Sequence, residues 1–327
     1  MGAGAWGTAL ATTLAAKDQP VWLHSWEPEH AAQLERDRVN ALLPGVVLGP
    51  QVHVTSSYRE ALGQASWVLL VVPAQAMRST LEHARSELQP GARLISACKG
   101  IEVGTNLLMH QVIAEVLGPD YGQSAVHLSG PSFAKEVAAG VPTNLVAAAN
   151  SLPLAEAVQA LLATERLRVY TSDDPIGVAV GGALKNVIAI AAGACAGLGF
   201  GYNAQAALIT RGLAEMTRLA LALGGRAQTL AGLSGLGDLI LSSSYDVSRN
   251  RTLGALVGRG HSPLEALERL GGVAEGYATA QAVHELARVH SVDLPICEEV
   301  YQVLFEGKQV LSAVSDLLAR PLKPEWT

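Results

Sequence analysis

The apolar positions divide the chain into two parts with different periodicities. Short apolar runs recur at 21–24 (VWLH), 67–72 (WVLLVV), 93–97, 125–128, 144–148 and 167–171. Runs this short, rich in Val, Leu and Ile, predict strands buried on both faces of a parallel sheet. Segments with helical spacing lie between them at 28–37, 74–88 and 153–163, and the alternation predicts an α/β, doubly wound sheet of Rossmann type. Beyond Thr171-Ser172-Asp173-Asp174-Pro175 strand signals stop, and helical periodicities cover 203–223, 263–270, 277–290, 294–305 and 310–318. The expected organisation is a dinucleotide-binding domain over 1–173 and an all-α domain over 174–327. Asp173 or Asp174 would cap the first helix of the second domain, with Pro175 at its first position.

That first helix, over 176–200 (IGVAVGGALKNVIAIAAGACAGLGF), is apolar on nearly every face, which predicts enclosure on all sides. Lys185 and Asn186 nevertheless stand in its middle. A buried ammonium is costly unless it is paired or has its pKa shifted, so Lys185 is expected to face a polar cleft with partners from elsewhere in the chain. Asp238 in SGLGDL and the Ser248-Arg249-Asn250 run are the candidates. A lysine that snorkels to the surface is a competing reading. A membrane span is another, opposed by the roughly 2.5–3.5 kcal/mol that a central lysine costs on insertion.

At the start of the chain, Gly2, Gly4 and Gly7 form a G-x-G-x-x-G followed by a helix-forming run of small residues. In a dinucleotide fold such glycines permit a tight turn, close approach of a pyrophosphate and packing of helix on strand. The strand that should precede the motif is represented only by Met1. A parallel sheet without its central strand would leave unpaired ladder groups on both neighbours, so the natural protein is expected to begin several residues upstream. Lys99, in Cys98-Lys99-Gly100, falls at the carboxyl end of a predicted strand, where ligands of such sheets bind. The strand at 125–128 feeds Ser129-Gly130-Pro131-Ser132, a glycine turn before a helix start whose N–H groups suit an anion or an amide.

Composition narrows the picture further. With 49% hydrophobic and 16% charged residues the 327-residue chain can fill two cores and is not a disordered sequence. A formal charge of -6 gives no basic footprint for nucleic acid. Cys98, Cys195 and Cys297 have no metal-type spacing and no secretory segment ahead of them, so they read as reduced thiols of a cytoplasmic protein, with no metal site.

Eight segments in order, GAGAWGTALA, CKGIE, SGPSFAKE, GGALKNVIAIAAG, NAQAALITRGLAEM, GLSGLGDL, SRNR and VAEGYATA, resemble bacterial NAD(P)-dependent glycerol-3-phosphate dehydrogenase over almost the whole chain. The resemblance implies interconversion of dihydroxyacetone phosphate and glycerol 3-phosphate, with the latter serving phospholipid synthesis. It implies Lys185 as the proton-transferring residue, with Asp238 as its partner. Lys99, Gly130, Ser132, Lys185, Asp238, Ser248, Arg249 and Asn250 would contact substrate. Gly2, Gly4, Ala5, Trp6, Gly7, Trp26, Lys99, Ala134, Arg249, Val273 and Glu275 would line the NAD or NADP site. The implied partner is a small phosphate substrate, with no nucleic acid and no membrane insertion, and a homodimer is one assembly open to it.

The chemistry of these residues fits. Carbonyl reduction needs hydride from one side and a proton for the developing alkoxide, and one cation can stabilise the charge and donate the proton. Arg249 is a planar fork suited to phosphate. Alternatives remain at this stage: Asp238 as a turn residue after Gly237, Arg249 as a surface arginine, Glu275 as a carboxylate at a helix N-terminus. A lysine merely tolerated by the core would be replaceable by methionine with no loss of stability. The chain departs from the family where relatives often carry an arginine able to meet a 2'-phosphate; Trp26 stands there, followed by Glu27, which favours NAD. Two rival functions are a related dehydrogenase for another small acid, which would need a different anion anchor, and a nucleotide sensor with no use for Lys185 and Asp238.

Overall fold

The computed structural model describes residues 1–322, 324 and 325. Val21–His24 (β1) pairs in parallel with Val52–Thr55 (β2). A second group runs in chain order: Trp67–Leu70 (β3), Arg93–Ser96 (β4), Val126–Ser129 (β5), Thr143–Ala148 (β6) and Leu167–Ser172 (β7). Met1 and Gly2 tie the two groups together. The Gly2 N–H donates to the His24 carbonyl at 3.0 Å, and the Val71 N–H to the Met1 carbonyl at 2.9 Å. β2 escapes the apolar pattern because VHVT is only four residues long and interrupted by histidine.

One expectation needs correcting. β6 runs antiparallel to β5, with His127 opposite Ala148 and Ser129 opposite Val146, so the sheet is not parallel throughout. The link over 130–142 carries only a five-residue helix and turns the chain back beside β5 rather than crossing over the sheet.

Helices cover both faces of the sheet: α1 (Ala5–Ala15), α2 (Pro28–Asp37), α3 (Tyr58–Leu62), α4 (Met77–Ala84), α5 (Met109–Leu117), α6 (Pro119–Gln123), α7 (Ala134–Ala138) and α8 (Leu152–Leu162). Leu10, Leu145 and Val158 close one core, and Leu70, Met77, Leu94 and Ile113 the other. The helix expected over 74–88 is shorter, a 3₁₀ turn at Ala74–Ala76 that continues as α4. All three cysteines are free thiols, as expected.

Beyond Ser172 the described residues contain helices and no strand: α9 (Pro175–Gly197), α10 (Tyr202–Ala222), α11 (Ala227–Leu230), α12 (Asp238–Ser244), α13 (Arg249–Gly258), α14 (Pro263–Leu270), α15 (Glu275–Val289), α16 (Pro295–Phe305) and α17 (Val310–Ala319). α9 is the axis, packed by α10, α12, α13, α15 and α16. Asp174 caps it, accepting the Gly177 N–H at 2.9 Å. By length and composition α9 is apolar enough to cross a membrane, but 78% of its apolar window is buried against protein, as in a core helix. α13 approaches α9 so closely that a Cβ on Gly254 would lie 1.9 Å from the Ile190 carbonyl oxygen, and one on Gly193 1.9 Å from that of Arg251. Ile101 and Leu108, from the sheet domain, belong to the same apolar core as α9 and seat the two parts against each other.

Candidate active site

Lys185 projects from the middle of α9 and is buried, with 7% exposure, so the snorkelling alternative does not describe it. Its Nζ donates to Asp238 Oδ1 at 2.7 Å and to Ser242 Oγ at 2.7 Å. Asp238 opens α12 after a wide turn of π-helix at Leu233–Gly237, and Ser242 lies one helical turn further on. The other carboxylate oxygen, Oδ2, accepts from Lys99 Nζ at 2.7 Å, and Lys99 Nζ also reaches the Gly130 carbonyl at 3.1 Å. Lys99 comes from the loop after β4 and Gly130 from the end of β5, so one buried carboxylate fastens the carboxyl edge of the sheet to the axial helix.

Electrostatics follow from this arrangement. Burial lowers the Lys185 pKa to about 8, partly opposed by Asp238 and reinforced by the nearby charge of Lys99. Burial alone would raise the Asp238 carboxyl, but Lys185 and Lys99 more than offset it and hold it below the usual carboxylate range. Two cations and one anion leave a net positive centre. An ammonium has three N–H donors; Lys185 and Lys99 each spend two on protein and keep one.

A relay of amides frames the centre. Asn186 Nδ2 donates to the Lys99 carbonyl at 3.0 Å, Asn250 Nδ2 to Asn186 Oδ1 at 2.9 Å, and the Gly276 N–H to Asn250 Oδ1 at 2.9 Å. The Asn250 side chain therefore joins α9, α13 and α15, and keeps one N–H beyond these bonds. Ser248 caps α13, accepting from the Arg251 N–H. Arg249 is exposed beside the loop that precedes α15, where a Cβ on Gly272 would sit 3.3 Å from its guanidinium. Ser132 donates its hydroxyl to the Gly130 carbonyl at 3.0 Å, on the same oxygen that Lys99 uses.

The nucleotide side is built around α1. A Cβ on Gly7 would lie 1.9 Å from the Gly2 carbonyl oxygen, so this turn requires glycine. At Gly4, the N-cap of α1, a Cβ would meet nothing within 4 Å, and no side chain caps the helix. Open space over an uncapped helix N-terminus fits a pyrophosphate. Trp6 Nε1 is buried without a hydrogen-bond partner, which also fits a ligand at this edge. α7, which begins at Ala134, packs against α1. Glu275 heads α15 and accepts the Ala74 N–H at 3.2 Å, tying the helical part to the end of β3; burial pushes its carboxyl up to about 7, against the pull of that N–H and of Arg249. Val273 and Trp26 are exposed, Trp26 just past β1.

The structure thus joins Lys185, Asp238, Lys99, Gly130 and Ser132 in one cluster, with Asn250 linked through Asn186. Three contributors lay outside the sequence expectation. Asn186 had a signal, as a second polar residue in an apolar helix. Ser242 becomes readable only when α12 is recognised as a helix that places it four residues after Asp238. Asn40, which donates to the Ala3 carbonyl at 2.9 Å and to Thr8 Oγ1 at 2.7 Å and so steadies the glycine turn, sits in a loop with no periodicity.

Comparison with known proteins agrees along the chain. The family model for the NAD-dependent glycerol-3-phosphate dehydrogenase N-terminus matches residues 1–155, and that for the C-terminus matches 174–315. Glycerol-3-phosphate dehydrogenase (NAD(P)+) of Geobacter sulfurreducens is 48% identical over 326 residues, 99% of this chain and 97% of the relative. Its namesake in Escherichia coli O17:K52:H18 is 46% identical, covering 99% of this chain and 96% of the relative. The crystal structure of glycerol-3-phosphate dehydrogenase from Coxiella burnetii superposes with a TM-score of 0.93 at 39% identity, covering 98% of this chain and 97% of that one.

Proposed function

Because the chain belongs to the NAD-dependent glycerol-3-phosphate dehydrogenase family, we propose that its Lys185 delivers the proton when dihydroxyacetone phosphate is reduced. The enzyme interconverts dihydroxyacetone phosphate and sn-glycerol 3-phosphate with NAD or NADP. The observation that carries the assignment of roles is the carboxylate of Asp238, held between Lys185 and Lys99 at 2.7 Å from each.

The turn at Gly4 and the N-terminus of α1 would hold the reduced cofactor, which would supply the hydride for C2 of the substrate. The free N–H of Lys185 holds the C2 oxygen, and its proton passes to that oxygen as charge develops: the C2–H bond forms as the nicotinamide C–H bond breaks, the carbonyl π bond opens onto oxygen, and the O–H bond forms as the Lys185 N–H bond breaks. Neutral Lys185 then regains a proton from solvent. A pKa near 8 suits a group that must give and take a proton near neutrality. Asp238 aims the ammonium and keeps it charged in a buried place, and the net positive centre stabilises the alkoxide. Lys99 turns its remaining N–H to a second substrate oxygen. Arg249 and the N-terminus of α13 take the phosphate, with the spare N–H of Asn250.

Glu27 stands at the N-cap position of α2, three residues after β1, where a carboxylate disfavours a 2'-phosphate, and NAD is the proposed preference. The product supplies phospholipid synthesis in the cytoplasm. Loss of nicotinamide absorbance with dihydroxyacetone phosphate and each reduced cofactor in turn tests the reading. Expected is turnover, faster with NADH, that collapses in Lys99→Met and Lys185→Met variants. Full turnover in both variants would overturn the assigned roles.

A further inference from the structure

The loop that follows Lys99 has no part in the chemistry assigned above. Ile101 and Leu108 pair as an antiparallel bridge, so 101–108 is closed at its base. Inside it the Glu102 N–H donates to the Leu107 carbonyl at 3.0 Å, and the Asn106 N–H to the Glu102 carbonyl at 2.9 Å. Gln75 lines its flank as a strand would: its Nε2 donates to the Ile101 carbonyl at 2.8 Å and its Oε1 accepts the Val103 N–H at 3.0 Å. Glu102 is buried and takes Arg78 on both carboxylate oxygens, at 3.0 and 2.8 Å. A loop cross-bonded in this way is stiff.

This stiff piece is fastened to the helical part as well as to the sheet. Ile101 and Leu108 lie in the apolar core around α9, and the Lys99 carbonyl accepts from Asn186 of α9. Gly100 is wedged between Ala74 and α15: a Cβ there would lie 2.5 Å from the Ala74 Cβ, 3.2 Å from Glu275 Oε2 and 3.4 Å from Thr279 Oγ1. Near the loop's tip, Asn106 Nδ2 donates to Glu285 Oε2 at 2.8 Å. Asn106 has a φ of 60°, the left-handed region that suits asparagine better than most side chains. Glu275 and Glu285 are separated along α15 by about 15 Å, so one helix holds the loop at both ends.

We propose that Asn106 and Glu285 position Lys99: their bond sets the loop against α15, and the loop sets the backbone from which Lys99 reaches Asp238 and the substrate. The inference rests on the reading of Lys99 as a substrate-binding group. Neither residue touches the reacting atoms, so both are positioning residues. Their leverage comes from the geometry Lys99 must keep, since a shift of about 1 Å in a group that orients substrate is enough to cost rate.

The test measures kcat/KM for dihydroxyacetone phosphate in the full chain at saturating NADH. Asn106→Gly keeps the left-handed backbone and removes the amide, Glu285→Leu removes the acceptor, and Glu285→Gln keeps one acceptor oxygen. Expected is a fall of roughly three- to tenfold in the first two, with KM for NADH within about twofold of the parent and Glu285→Gln close to it. In a Lys99→Met background Asn106→Gly should add almost nothing, because residues acting through one group are not additive. A role in stability alone would lower Tm and leave kcat/KM at the parental value, or would multiply onto the Lys99→Met loss; either result would overturn the proposal. If Asn106→Gly does not fold, Glu285→Leu in both backgrounds decides in the same way. An unchanged kcat/KM in Lys99→Met would overturn the reading of Lys99 and this proposal with it. A large fall there, beside parental values in Asn106→Gly and Glu285→Leu, would overturn the positioning role only.

Discussion

Lys185 and Asp238 stand 53 residues apart in the chain and meet at 2.7 Å, both side chains buried. The pair exists because α9 is buried on all sides and α12 begins with its carboxylate against that helix. Such a pair is costly to desolvate and costly to break, and it is retained where a charge must be available inside the protein.

Stability should respond to the pair as a unit. Removing the ammonium leaves Asp238 Oδ1 with only Ser242, at 3.4 Å, while Oδ2 keeps Lys99. A lysine merely tolerated by the core would be replaced by methionine at no cost, whereas a paired one is not: Lys185→Met should lose up to about 3–5 kcal/mol, moderated by Lys99. Lys185→Met combined with Asp238→Asn should recover part of the loss, measured by urea denaturation. Additive losses would contradict the coupling.

Arg249→Ala should raise KM for dihydroxyacetone phosphate by about tenfold or more, since a charge-assisted bond to phosphate is worth roughly 1.5–3 kcal/mol, and lysine should rescue only partly. An unchanged KM in a folded variant would move the phosphate elsewhere.

The axial helix was legible because 176–200 is apolar all round and Lys185 interrupts it. Asp238 and Arg249 were legible as residues, but α12 and α13 were not, being short and packed against α9 on small residues that leave no apolar stripe. The reversal at β6 is invisible in composition, because a buried strand reads the same in either direction. The amide relay through Asn186 and Asn250 depends on three helices converging, which no single stretch of sequence encodes.

The pH dependence of catalysis should report Lys185. With its pKa near 8, kcat/KM for reduction should fall as pH rises above about 8, when the proton is lost, and the reverse oxidation should gain over the same range. Initial rates in both directions across pH 6–10 check this. A reduction limb near the unperturbed lysine value of 10.5 would contradict it.

Stability has a separate titration at Glu215, which accepts the Ile296 and Cys297 N–H groups at the start of α16, at 2.7 and 3.1 Å. Burial raises its carboxyl from 4.5 to about 7, the two N–H groups opposing. Between those values the unfolded chain has released a proton that the folded one keeps, so this contribution is complete below 4.5 and is lost as pH rises to about 7. Glu215→Gln should gain on the parent by about 1 kcal/mol per pH unit across the window. Denaturation curves at pH 5 and pH 7 read the difference, and parallel curves would refute it.

The central claim is that Lys185 gives the proton, and kcat of Lys185→Met with dihydroxyacetone phosphate and saturating NADH tests it most directly. Circular dichroism confirms folding and NADH fluorescence titration confirms the nucleotide site. The account predicts a fall in kcat of about 10²- to 10⁴-fold or more, with NADH affinity little changed. A folded variant that binds NADH and keeps kcat within a few-fold of the parent would contradict it.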